Sequence, residues 1–110
     1  MMLNTGDKLV RFNLDELAYV EADRTYCTLF MADGMTHYQV GHPLAYMEGI
    51  LRGDWFIRIS RSYIVNIWHV CRKMGNMLYV DGRKQPLLAT DSYRHNLDGC
   101  FLVIGLTGQK

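Results

Sequence analysis

Two Asp-Gly pairs, Asp33-Gly34 and Asp81-Gly82, most constrain what this chain can fold into, because each sits between segments of strand-like composition. Such a pair supplies the positive-φ backbone that a tight hairpin requires. Tyr26 to Met31 leads into the first turn and Thr36 to Val40 leads out. Met77 to Val80 leads into the second, and Arg83 to Leu88 forms the return strand. Pro86 assigns that return strand to a sheet edge, since proline has no N–H to give a neighbour.

Further short segments extend the pattern. Lys8 to Phe12 and Leu17 to Ala22 read as strands, joined by the polar Asn13 to Glu16 turn. Phe56 to Ile59 and Tyr63 to Val65 are two apolar blocks with Arg58 as their one internal charge, and Ile67 to Met74 continues as a strand up to a Gly75-Asn76 turn. One helix is expected after Pro43, where Leu44, Met47, Ile50 and Leu51 recur at helical spacing and Gly53 stops it. Thr90 or Asp91 can cap a last short helix through Leu97, closed by Gly99. Phe101 to Ile104 is a final apolar segment, and Gly105 to Lys110 reads as a loose tail. The 110 residues fit one domain without repeats or linkers. The fold class is all-β with minor short helices.

Net charge is only +1, yet its distribution is uneven: residues 1–54 carry four basic against eight acidic side chains, and residues 55–110 eight against three. The halves therefore stand at −4 and +5, and an anionic partner should meet the second. Cys27, Cys71 and Cys100 are odd in number and far apart, without zinc spacing, which fits small partly buried residues in a reducing compartment. His37, His42, His69 and His95 lack metal-ligand spacing, no phosphate-binding glycine loop or nucleophile motif occurs, and Asp15-Glu16 reads as a solvated turn. An enzyme is not expected, and no cofactor or metal is implied. Polar residues interrupt the first fourteen positions and no apolar run has membrane-spanning length, so the expected location is the cytoplasm.

What chemistry there is collects in polar junctions between apolar segments. Ser60-Arg61-Ser62 holds a guanidinium between two strand-like blocks, a form suited to a phosphate or the edge of a guanine. By itself it equally fits a plain surface turn. Arg24, with Thr25 beside it, and Arg94 occupy similar junctions; Tyr26 offers stacking or a phosphate contact, or else packs in the core. Lys73, near the Gly75-Asn76 turn, is positioned for phosphate or for simple solvation. Asn66, between Val65 and Ile67, reads as a buried group that satisfies turn backbone.

Tyr-Val-Glu-Ala (19–22), Arg-Thr-Tyr (24–26), Pro-Leu-x-x-Met-Glu-x-x-Leu (43–51) and Phe-Ile-Arg-Ile-Ser-Arg-Ser-Tyr-Ile-Val-Asn (56–66) together resemble the LytTR DNA-binding domain of bacterial response regulators and related stand-alone regulators. The resemblance covers about residues 7 to 103 and is most specific at Arg58-x-x-Arg61-Ser62-x-x-Val65-Asn66, with Gly82 and Pro86 at family-like spacing. It implies an elongated stack of three antiparallel β-sheets whose loops enter successive major grooves of promoter direct repeats, with two copies pairing on DNA. It also implies a two-component context, with a receiver domain or sensor kinase as a further partner. The contacting positions it implies are Arg24 through Cys27, Ser60-Arg61, and Ala89 through Arg94. Within these, Arg24, Thr25, Tyr26, Ser60, Arg61 and Arg94, with Lys73, are the candidate DNA-binding residues, and Arg61 is the one expected to read a base. Two departures stand out: the family often has histidine where this chain has Ser60, and Asp91 stands in the last junction, where it reads as a helix cap. The rival readings are a β-rich protein-interaction module and a single-strand binder stacking bases on Tyr26, Phe30 or Tyr38.

Overall fold

The computed structural model describes residues 1–4, 9–51 and 55–97. In chain order the strands are β1 (Met2–Asn4), β2 (Leu9–Arg11), β3 (Leu17–Asp23), β4 (Tyr26–Met31) and β5 (His37–Val40). Helix α1 (Leu44–Ile50) follows, then β6 (Phe56–Arg58), β7 (Tyr63–Asn66), β8 (Val70–Met74), β9 (Met77–Val80) and β10 (Leu87–Leu88). Short 3₁₀ turns occupy Leu14–Glu16, Ile67–His69 and Asp91–Asn96. The strands form three antiparallel sheets: β1-β2, β5-β4-β3-β7-β6 and β10-β9-β8. The molecule is elongated, 46 × 27 × 25 Å.

The five-stranded sheet is the middle layer, because the alternation of its strands presents an apolar surface on both faces. β4 shows the pattern most plainly: Cys27, Leu29 and Met31 are buried and the residues between them only partly so. Those three, with Leu17, Val20, Val40 and Ile64, pack against Leu44, Met47 and Leu51 at the helix and against Phe12. The opposite face brings Ala18, Tyr19, Ile59 and Val65 onto Leu78, Val80, Leu87, Ala89 and Leu97. A register shift between Leu17 and Tyr19 makes this possible. It inserts one residue into β3, so Ala18 and Tyr19 both join the second core while Leu17 and Val20 remain in the first.

Several local expectations need correction. Ile50 is exposed, because Leu44, Met47 and Leu51 recur at i, i+3 and i+7 and Ile50 falls to the side of that stripe. Ile67 does not extend a strand; Asn66 Oδ1 accepts the Trp68 N–H and starts a 3₁₀ turn before β8. The return strand after Gly82 shrinks to Leu87–Leu88, although β10 is an edge strand as Pro86 predicts. The last short helix forms as expected, as a 3₁₀ turn, with Thr90 at its N-cap position but no side-chain capping bond. β1 was not anticipated. Gly53, Gly99 and the segments 101–104 and 105–110 lie outside the described residues.

The two Asp-Gly turns meet each other. Both glycines have positive φ, +78° at Gly34 and +83° at Gly82, and a Cβ on Gly82 would stand 2.9 Å from Ala32 O and from Gly34 N. Asp33 builds its own loop, with Oδ1 accepting the N–H groups of Met35 and Thr36 and Oδ2 the Thr36 hydroxyl; these bonds hold its carboxyl below the usual range. Nearby, the His69 ring joins Asp81 Oδ2 (2.9 Å) to Asp15 O (2.6 Å). The middle and outer sheets are thus tied at one end, which leaves the polar junctions at the other.

Candidate nucleic-acid interface

Register places the junctions together. β3 runs toward the Arg24-Thr25 turn, which the Asp23–Tyr26 pair closes, and β7 starts from the Ser60-Arg61-Ser62 loop with Tyr63 opposite Glu21. The Ala22 N–H donates to Ser62 O at 2.8 Å, so turn and loop share one corner of the sheet. The Thr90 N–H donates to Ile59 O at 2.9 Å, and Asn96 Nδ2 to Arg58 O at 2.9 Å, which bring the last 3₁₀ turn against the same loop. Finally, the Ala89 N–H donates to Asn76 O at 2.9 Å and sets the Gly75-Asn76 turn beside it. Four loops distant in sequence therefore occupy one end.

Each candidate has a definite setting there. Arg24 is exposed, and its φ of +61° is the one positive value at a non-glycine among the described residues. Holding an arginine there costs about 1 kcal/mol of backbone energy, and the turn keeps the guanidinium at its tip. Thr25 is exposed beside it and Tyr26 is half-buried at the start of β4. Arg61 is exposed at the centre of its loop. Ser60 is only 5% exposed, and its Oγ accepts the N–H groups of Ser62 and Tyr63, both at 3.1 Å. Its oxygen thus shapes the loop from inside. Lys73 is exposed on β8, one register pair from the Met74–Met77 pair that closes the turn, and Arg94 is exposed on the last 3₁₀ turn. Asp91 lies in that turn's first residues, at the end that favours a carboxylate.

Arg58 is the residue that sequence reasoning undervalued. Its side chain is 11% exposed. Nε donates to Ser60 O (2.6 Å), Nη2 to Arg61 O (3.0 Å) and Nη1 to Glu48 Oε1 (2.8 Å), and the guanidinium lies 5.3 Å from the centre of the Tyr93 ring. The signal in the sequence was a lone arginine inside an apolar block three residues before Arg61. An open groove of about 460 Å³ beside it is lined by Ala45, Glu48, Gly49, Phe56 and Asn96.

Asn66, 1% exposed, donates from Nδ2 to Leu17 O while its Oδ1 takes the Trp68 N–H, so it satisfies buried backbone as expected. Behind the loop, Arg83 donates to the Tyr19 hydroxyl (3.2 Å) and lies over the rings of Tyr19 and Tyr63. Burial pushes the Tyr63 phenol up, and Glu21 adds to the effect. The rings proposed for base stacking do not form a shared platform. Phe30 stacks on Tyr19 in the second core and Tyr38 on Phe12 in the first, on opposite faces of the sheet. Among the described residues no group of His, Cys, Asp or Glu is placed to hold a metal ion, and no helix is long and apolar enough to cross a membrane.

Comparison with known proteins agrees with this architecture. The family model for the LytTr DNA-binding domain matches residues 7–99. Among solved structures, one described as the LytTr DNA-binding domain of a methyl-accepting/DNA response regulator from Bacillus cereus superposes with a TM-score of 0.70 at 23% identity. That match covers 89% of this chain and 95% of the other. No curated protein sequence matches.

Proposed function

The chain belongs to the LytTR DNA-binding domain family, and from that premise we propose that it is a sequence-specific, duplex-binding transcription regulator that reads DNA with the end where its polar junctions gather. The observation that carries this reading is the convergence of Arg24, Arg61, Lys73 and Arg94 through the backbone bonds Ala22–Ser62, Thr90–Ile59 and Ala89–Asn76. A rigid sheet edge carrying several exposed cations suits phosphate positioning, with one arginine left to read a base. Arg61 takes that role against a guanine edge, where its two parallel donors match O6 and N7. Arg24, Thr25, Tyr26, Arg94 and Lys73 set the register on phosphates, and Ser60 shapes the loop between them. The loops engage successive major grooves, and two copies bind a promoter direct repeat in the cytoplasm, under the control of a receiver domain or sensor kinase.

Selection of bound duplexes from a random pool tests this reading. An enriched direct repeat is the expected outcome, and the absence of any enriched sequence would favour a protein-interaction module. With the selected site in hand, Arg61→Ala should cost about 1–3 kcal/mol and relax preference at one base position. Lys73→Ala should weaken all sequences alike and lower the salt slope by about one. Unchanged affinity and preference in Arg61→Ala would remove Arg61 from the base-reading role.

A further inference from the structure

We propose that Arg58 is a positioning residue for DNA reading: its guanidinium sets the pose of the Ser60-Arg61-Ser62 loop without touching DNA. The inference rests on the DNA-binding reading above and assigns that site its internal support. All three guanidinium nitrogens are engaged, two by successive carbonyls of the loop and one by Glu48 of α1. Tyr93 of the last 3₁₀ turn lies under the same group, and the Arg58 carbonyl receives Asn96 Nδ2. One cation therefore joins the helix, the Arg61 loop and the Arg94 turn.

The consequence for the loop follows from peptide geometry. In a trans peptide the C=O and N–H point in opposite directions. Drawing Ser60 O onto Arg58 therefore turns the Arg61 N–H away from it. The neighbouring N–H groups of Ser62 and Tyr63 are already taken by Ser60 Oγ. No described residue accepts the Arg61 amide, and the Arg61 side chain is exposed. Arg58 thus fixes the backbone from which the Arg61 guanidinium is presented to a base. Only a planar fork with several donors can reach both carbonyls and the carboxylate together, so lysine is not equivalent here.

The test uses the full chain with Arg58→Lys, Glu48→Gln, Arg61→Ala and the Arg58→Lys/Arg61→Ala pair. Affinity is measured for the preferred duplex and a scrambled one across salt concentrations, alongside amide exchange at Ser62 and Tyr63 and thermal melts. Arg58→Lys is expected to weaken preferred-site binding about 10-fold to 100-fold, and adding it to Arg61→Ala should change affinity less than about 3-fold. Scrambled-duplex affinity and the salt slope should hold steady, while the two amides exchange faster. Glu48→Gln, which leaves both carbonyl bonds in place, should act in the same direction but more weakly. Equal loss on both duplexes with a slope lower by about one would make Arg58 a phosphate contact and overturn the proposal. Unchanged preference with unchanged exchange would also overturn it. A wild-type chain that prefers no duplex would instead overturn the DNA-binding reading, and the exchange data would still report whether Arg58 shapes the loop.

Discussion

Replacing Gly82 with alanine tests how the sheets are joined, and Gly75→Ala is its natural control. Both glycines lie in tight turns of the outer sheet and both have positive φ, +83° and +60°. Either alanine meets the left-handed backbone penalty of about 1–2 kcal/mol. Either also restricts the unfolded chain to a similar degree, so that contribution cancels in the comparison. They differ in what the new methyl meets. At Gly75 nothing lies within 4 Å, whereas at Gly82 the Cβ would stand 2.9 Å from Ala32 O, 2.9 Å from Gly34 N and 3.0 Å from Gly34 Cα. Those are backbone atoms of the facing turn, and that turn is held by the Asp33 side chain and has its own positive-φ glycine. Relief must therefore come from separating the two turns, at about 1–3 kcal/mol beyond the control. With a urea dependence of about 1–3 kcal/mol per molar, the Gly82→Ala midpoint should fall roughly 1 M below that of Gly75→Ala. Urea titrations followed by tryptophan fluorescence and by far-ultraviolet circular dichroism give both the midpoints and a check on two-state behaviour. Equal midpoints, or a milder effect at Gly82, would refute the argument that contact between the turns fixes the sheets.

Other outcomes follow from single groups. Asn66→Ala leaves the Leu17 carbonyl and the Trp68 N–H without their partner and should cost about 2–4 kcal/mol in denaturant titration. Ser60→Ala removes the acceptor of two loop amides; it should cost about 1 kcal/mol and speed exchange at Ser62 and Tyr63. Burial raises the Cys27 thiol to about 11 from an ordinary value of 9.0, so the unfolded chain releases this proton first. Its contribution to stability is full below pH 9.0 and declines toward about pH 11. Native-state alkylation with mass spectrometry should accordingly label exposed Cys71 while Cys27 reacts only on unfolding.

Local chemistry was legible where one short segment determines the outcome. The Asp-Gly turns, the alternation of Tyr26 to Met31, and the stripe of Leu44, Met47 and Leu51 appear in the structure because backbone conformation and side-chain period act over a few residues. Ile50 and the segment from Ile67 were misread for the complementary reason. Apolar character does not say which face a residue takes, and Asn66 redirected the chain through a hydrogen bond that composition does not display.

The sequence by itself determined an all-β chain with short helices, a basic second half and a set of polar junctions, among them Arg24, Arg61 and Arg94. The tertiary structure alone decided that those junctions share one end, because strand register and the bonds Ala22–Ser62, Thr90–Ile59 and Ala89–Asn76 join residues separated by up to forty positions. It also decided the part played by Arg58. A charge inside an apolar block is ambiguous in sequence, and its meaning comes from the carbonyls and carboxylate that folding gathers around it.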